Sequence, residues 1–212
     1  MTLQRSIDIA IAALGLVLTS PLLLLIAWLI RLDDGGPVLF TQLRLGTNRK
    51  PFRIYKFRTM REGSTTRIGR WLRQTGLDEL PQLVNMLRGE MSLIGPRPLT
   101  GEDVARLGWD DEAHAVRWSV RPGIIGLAQL YAGRGKRLSW FLDVTYVRDR
   151  RLALDVGIFA ATAVIGVVGK RRVRAWLRAY RRRRAMLAAT PRLDAQRPAL
   201  VEGQSAWPAL PR

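Results

Sequence analysis

No charged side chain interrupts residues 9–30, and roughly 20 apolar residues are enough for a helix to cross a ~30 Å hydrocarbon core. Ser20 and Pro21 fall in the middle of this run. Pro21 lacks an N–H and its ring crowds the carbonyl of Val17, so the helix is expected to kink or break there. Ser20 is placed to hydrogen-bond one of the freed backbone groups. Two topologies follow: a kinked span, which is the default, or a re-entrant hairpin whose arms enter and leave on one face. The run exceeds the ~7–15-residue apolar region of a cleaved signal peptide, and residues 27–31 offer no small-x-small cleavage site, so a retained anchor is expected.

Downstream the apolar positions change period. Residues 38–45 and 52–59 alternate between Gly, Pro and Asn clusters, which predicts two short strands joined by a turn at 46–51. Residues 68–73 read as a short helical turn. Thr75 is placed to cap a following helix, with Asp78 three residues on, Pro81 tolerated in the first turn and Gly89 ending it. Residues 95–98 must be extended, because each residue before a proline is driven out of the helical region. Helix is expected over 102–116 with an interruption at Gly108, a turn at 121–126, a short strand at 127–131, and helices at 142–148 and 154–168. From 191 onward the Pro/Ala-rich stretch lacks periodicity and reads as disordered.

Charge narrows the partners. A net charge of +18 calls for an anionic one: nucleic acid, anionic lipid or a phosphorylated substrate. Residues 170–184 carry nine cations and no acid, while Val173, Trp176, Leu177 and Tyr180 recur at helical spacing. That pattern is a basic amphipathic helix lying in a lipid interface, where each cation adds ~1 kcal/mol against an anionic leaflet. The tryptophans are scattered rather than arranged as base-stacking platforms, which argues against nucleic acid. Because the basic residues follow the apolar run, the positive-inside rule places the domain in the cytoplasm. The chain has no cysteine and one histidine, His114 on an expected helix surface, so disulfides, thiolate sites and a typical zinc site are excluded. A divalent metal would be a hard ion held by carboxylates and phosphates, which favours magnesium.

Several motifs remain: PVLF at 37–40, IYKFRTM at 54–60, LDELPQL at 77–83, NMLRGEMSLIGPRPL at 85–99, RPGI at 121–124 and GLAQ at 126–129. Taken in order, over roughly residues 5–170, they resemble the bacterial sugar transferase family, the monotopic phosphoglycosyl transferases that act on polyprenyl phosphate. The resemblance implies that a nucleotide diphospho-sugar, usually a uridine one, donates a sugar phosphate to polyprenyl phosphate and releases the nucleoside monophosphate. It favours the re-entrant hairpin, broken at Ser20 and Pro21. It matches Asp78 to the family's nucleophile, which forms an acyl-phosphate intermediate, a step a carboxylate performs unaided. It matches Glu79 to a ligand of Mg2+ bridging the diphosphate. On the residues alone, an Asp-Glu pair at a helix start is more often only a cap than a catalytic pair, and that position would favour the ionised forms by ~0.3–1 kcal/mol.

Supporting roles are expected for other residues. Arg97, stiffened by flanking prolines, suits bidentate phosphate contact. Lys56 and Arg58 alternate along one strand face. Arg121, with the Gly123 and Gly126 turn, would shape the nucleotide end of the pocket, and Asp143 and Tyr146, with Asp155, match family positions. Three features depart from the family pattern: a shortened loop between Met60 and Thr66, Ile125 where threonine is common, and a short segment at 133–142 that weakens a pairing of Arg134 with Asp143.

The fold class expected is α+β: a broken re-entrant membrane helix (1–32), a catalytic domain with a small sheet and surrounding helices (33–169), a basic interfacial helix (170–190) and a disordered tail (191–212). Expected partners are a nucleotide diphospho-sugar, polyprenyl phosphate and an anionic membrane, with a homodimer left open and no nucleic acid. The expected location is the cytoplasmic face of a bacterial inner membrane. A noncatalytic basic adaptor at the membrane surface and a lipid-linked phosphatase remain alternatives.

Overall fold

The computed structural model describes residues 2–130 and 135–169. The basic helix expected at 170–190, the tail at 191–212 and Arg134 lie outside the described residues.

The apolar run forms one helix, α1 (Leu3–Asp34), ended by Gly35 in the left-handed conformation (φ 69°), whose N–H donates to the Arg31 carbonyl at 2.9 Å. The expected break at Ser20 and Pro21 does not end the helix. Pro21 cannot donate to the Val17 carbonyl, and the Ser20 hydroxyl donates to that same oxygen at 2.8 Å, so the local deficit is met without unwinding.

One stripe of α1 faces the rest of the fold along its whole length. Ala12 and Leu16 pack with Phe52, Ile54, Leu83, Met86 and Met91, and Ile26 and Ile30 pack with Phe57 and Leu72. Polar bonds fasten both ends. Near the start, Asp8, 3% exposed, accepts from the Ser92 hydroxyl at 2.8 Å and the Leu93 N–H at 2.9 Å. Gln4 donates to Asp155, and Arg5 donates to the carbonyls of Met86 and Leu87. At the far end Asp34 pairs with Arg58, and its carbonyl accepts from Arg61. The opposite face leaves Leu14, Val17, Leu18, Leu24 and Trp28 exposed.

The alternating segments form an antiparallel hairpin, β1 (Leu39–Leu45) and β2 (Pro51–Phe57), in register from Leu39 opposite Phe57 to Leu45 opposite Pro51. Phe52 and Ile54 bury one face of β2, and Lys56 continues that face beyond the core. A two-residue pair follows, β3 (Met60–Arg61) with β4 (Ser64–Thr65), then α2 (Arg67–Thr75) and α3 (Gln82–Arg88). Gly89 (φ 82°) ends α3 as expected. Asn85, fully buried, donates to the Arg53 carbonyl at 2.8 Å and accepts from the Tyr55 N–H at 3.1 Å. It serves as the next strand at the free edge of β2 and locks α3 to the hairpin.

Beyond α3, β5 (Ser92–Ile94) pairs in parallel with β6 (Gly123–Ile125). Only glycine fits their junction: a Cβ on Gly95 would stand 2.5 Å from the Arg121 carbonyl oxygen. Between them lie α4 (Gly101–Leu107), closed by Gly108, and a 3-10 segment, Glu112–Ser119, where one interrupted helix was expected. The strand expected at 127–131 is instead a helical turn, α5 (Leu127–Leu130), and strand structure falls just before it in β6. Helices α6 (Lys136–Arg148) and α7 (Leu152–Val168) complete the described fold. The architecture is mixed helix and small sheet. Among the described residues the single expected sheet is three separate strand pairs.

Candidate active site

Asp78 and Glu79 occupy a short 3-10 turn, Leu77–Glu79, between α2 and α3. Gly76 sets this up by closing α2 in the left-handed conformation (φ 76°), a backbone state that a residue with a Cβ resists. The expected cap at Thr75 is not formed: Thr75 ends α2 and its hydroxyl donates back to the carbonyls of Trp71 and Leu72 at 3.0 and 3.1 Å. Thr66 is the true cap, at the start of α2, accepting from the Gly69 N–H at 2.9 Å.

The two carboxylates differ in their surroundings. Glu79 accepts from Lys56 Nζ at 2.6 Å in a half-buried ion pair. The Asp78 side chain, also half-buried, holds no hydrogen bond to another side chain among the described residues. Burial pushes the Asp78 carboxyl above the usual carboxylate range and the neighbouring Glu79 charge adds to the rise, while Lys56 and Arg73 oppose it. This corrects the expectation that a helix start would favour ionisation, since desolvation prevails and α3 begins only at Gln82.

Beside the pair lies a narrow cleft of about 10 Å³, lined by Arg44, Lys56, Glu79, Gln82, Arg97, Gly123 and Gln129 among others. Three cations against one acid make it electropositive. Arg44 has its pKa drawn down by burial and then by the charge of Arg97, so the two guanidiniums repel across a space that an anion would relieve. Among the described residues, buried side-chain atoms without partners gather in the same lining residues: Arg44 Nε, Gln82 Nε2 and Gln129 Oε1. Each such atom costs ~1–3 kcal/mol until a partner arrives, and a cluster of them in a cleft is a sign of a ligand.

Of the residues singled out in the sequence, Lys56, Glu79 and Arg97 line this cleft, and Asp78 adjoins it through Glu79. Arg58 is committed elsewhere, to Asp34 and the Pro37 carbonyl at the end of α1. Arg121 donates to the Gly89 carbonyl at 2.9 Å, fixing the end of α3. Asp143 is 3% exposed and accepts from Arg117 Nε at 2.8 Å. Arg117 in turn donates to the backbone carbonyl of Arg97 and lies over the rings of Trp109 and Trp118. Asp143 therefore supports the Arg97 loop from behind. Burial raises the Asp143 carboxyl and Arg117 opposes the rise. Tyr146 donates to the Ile94 carbonyl at 3.0 Å and to Asp155 at 2.9 Å, and Asp155 also accepts from Gln4. These contacts tie β5 to α1 and α7.

Sequence reasoning passed over Arg44, Arg73, Gln82, Gln129 and Arg117. Arg73 donates to the Thr59 hydroxyl at 2.8 Å and adds a cation near Asp78. The signal for Gln82 was present, because a glutamine two residues after the Glu79-Leu80 step is fixed in place by Pro81.

Among the described residues no group of three or more His, Cys, Asp or Glu side chains could hold a metal. Magnesium commonly takes only one or two carboxylates and completes its shell with substrate phosphates and water, and Glu79, paired here with Lys56, is the carboxylate that would hold it.

The family model described as "Bacterial sugar transferase" matches residues 1–169. The undecaprenyl-phosphate glucose phosphotransferase of Komagataeibacter xylinus is 40% identical over 184 residues, 75% of this chain and 35% of the relative. A UDP-glucose:undecaprenyl-phosphate glucose-1-phosphate transferase of Escherichia coli (strain K12) is 36% identical over 191 residues, covering 79% of this chain and 41% of that one. The exopolysaccharide production protein PSS of Rhizobium leguminosarum bv. phaseoli is 37% identical over 190 residues, 77% of this chain and 94% of the relative. The chain thus spans 35% and 41% of the first two relatives and nearly all of the third.

Proposed function

The chain belongs to the bacterial sugar transferase family, and from that premise we propose that it moves a sugar 1-phosphate from a uridine diphospho-sugar to polyprenyl phosphate, at the start of glycan or exopolysaccharide assembly. The names of the relatives support donor and acceptor classes. The observation that carries the chemistry is the Asp78 carboxylate, without a side-chain partner among the described residues, next to an ion-paired Glu79 and a cation-lined cleft.

An Asp78 oxygen attacks the sugar-linked phosphorus, and the bond from that phosphorus to the bridging oxygen breaks, with its electron pair leaving on uridine monophosphate. The sugar phosphate is then held as a mixed anhydride on Asp78. A phosphate oxygen of the polyprenyl acceptor attacks the same phosphorus and returns Asp78 to its carboxylate. Arg44, Lys56 and Arg97 hold the diphosphate and offset its charge, the main requirement of such transfers. Magnesium, held by Glu79 with substrate oxygens, would supply further charge neutralisation.

The path of α1 supports a monotopic placement. A helix of 32 residues is ~48 Å long, ample to cross a ~30 Å core, yet both its ends and its buried stripe hold the same compact unit. Crossing would draw that unit into hydrocarbon, so the continuous α1 lies along one face of the membrane, with Leu14, Val17, Leu18, Leu24 and Trp28 toward lipid. The exposed Leu152, Val156 and Phe159 of α7 extend the same apolar surface. Together with the charge this supports a catalytic unit seated at the cytoplasmic face of the inner membrane, at the depth of the acceptor's phosphate.

The test is release of uridine monophosphate by purified protein given Mg2+, polyprenyl phosphate and a panel of uridine diphospho-sugars. Release with at least one donor is expected. Absence with every donor would favour a noncatalytic adaptor, and phosphate release from a polyprenyl diphosphate without donor would favour a phosphatase.

A further inference from the structure

Gln82 opens α3 and is 2% exposed, yet its Nε2 finds no partner among the described residues. It lines the electropositive cleft together with Arg44. The guanidinium of Arg44 is largely committed: Nη1 donates to the Pro98 carbonyl and Asp103, Nη2 donates to Gln42, and Nε alone lacks a partner. Two donors unpaired among the described residues, one from β1 and one from α3, therefore line one cleft in which Lys56 and Arg97 add positive charge. Donors without acceptors in a positive field select an anion with several acceptor oxygens.

We propose that Gln82 and Arg44 Nε form a donor pair that binds nonbridging oxygens of a diphosphate, so that Gln82 is a substrate-contacting residue. The assignment of that diphosphate to the nucleotide donor rests on the function proposed above. Gln82 follows Asp78 and Glu79 through Leu80 and the rigid Pro81, so a diphosphate held by its carboxamide is set in register with the nucleophile by covalent structure. This gives the glutamine a role that neither carboxylate nor any lysine fulfils: a neutral donor that grips the anion without pairing with Glu79 and blocking it.

The experiment measures equilibrium binding of inorganic pyrophosphate and of uridine diphosphate to the full chain, wild type against Gln82→Leu and Gln82→Glu, with melting temperatures of the ligand-free proteins. Gln82→Leu should bind both anions about ten- to hundredfold more weakly, while its ligand-free melting temperature is unchanged or higher, because a buried donor without a partner has been removed. Gln82→Glu should bind more weakly still, since it turns an acceptor toward the anion. A merely structural glutamine would instead lower the melting temperature and leave binding unmoved. Wild-type binding of pyrophosphate that depends on Gln82 supports the donor pair even if no uridine diphospho-sugar is turned over, in which case the transfer reading alone fails. Equal binding by wild type and both variants, or no binding of either anion by wild type, overturns the proposal.

Discussion

Replacing Asp143 with asparagine isolates a buried ion pair behind the active-site loop. Arg117 and Asp143 are each 3% exposed, 2.8 Å apart, and the guanidinium also holds the Arg97 carbonyl. Removing one charge leaves the other uncompensated in a low-dielectric setting, which costs ~3–5 kcal/mol. The rings of Trp109 and Trp118, 5.6 and 4.8 Å from the guanidinium, retain part of its stabilisation, a cation–π contribution of ~0.5–2 kcal/mol. With that retained part set against the loss, and at about 2–4 °C per kcal/mol for a unit of this size, Asp143→Asn should melt roughly 2–18 °C below wild type. Tryptophan fluorescence during thermal unfolding in one fixed detergent is a suitable assay, because two of the reporters lie on Arg117 itself. The double variant Arg117→Met/Asp143→Leu, which removes both charges, should recover most of the loss. A single variant melting within about 2 °C of wild type, or a double variant worse than either single, would refute the reasoning.

Other outcomes follow from the same geometry. Asp78 must be ionised to attack, and burial raises its pKa, so single-turnover rates should rise with pH through a midpoint above the ordinary aspartate value of 3.8. Lys56→Met should move that midpoint further up, since the ammonium opposes the shift, and a midpoint that falls would contradict the assigned electrostatics. A cysteine introduced at Thr2 should react only with reagents that reach the cytoplasmic side, as should one on the catalytic unit; labelling of the first from the outer side would establish a span. Chelation with EDTA should abolish turnover and Mg2+ restore it, with Glu79→Gln requiring more Mg2+ for half-restoration.

Local features were legible in the sequence because their causes are local. Alternation around the Gly46 to Pro51 turn dictated the β1–β2 hairpin, and Gly89 ended α3 through its own backbone freedom. Ser20 was seen as a partner for the carbonyl that Pro21 orphans, although the resulting helix stays continuous where a break was expected. What failed depends on distant partners. The β6 strand exists because Gly95 and Gly123 allow two backbones to meet, and nothing near residue 123 announces its pairing with Ser92. The roles of basic residues were the least readable. Arg58 and Arg121 serve structural carboxylate and carbonyl groups, Arg117 holds a loop from beneath, and Arg44 and Arg97 meet at the cleft. In a chain with 35 lysines and arginines, type alone cannot sort them, and only their partners do. Asp78 and Glu79 stood out through the motif around them, whereas the difference between a free carboxylate and an ion-paired one required the fold.

The central claim is that Asp78 carries the sugar phosphate covalently between donor and acceptor. Intact-protein mass measured after incubation with a uridine diphospho-sugar that supports turnover and Mg2+, without polyprenyl phosphate, tests it most directly. Wild-type protein should gain the mass of one sugar phosphate, lose it on addition of polyprenyl phosphate, and show no gain as Asp78→Asn. Full turnover by wild type with no such adduct, together with an active Asp78→Asn enzyme, would contradict it.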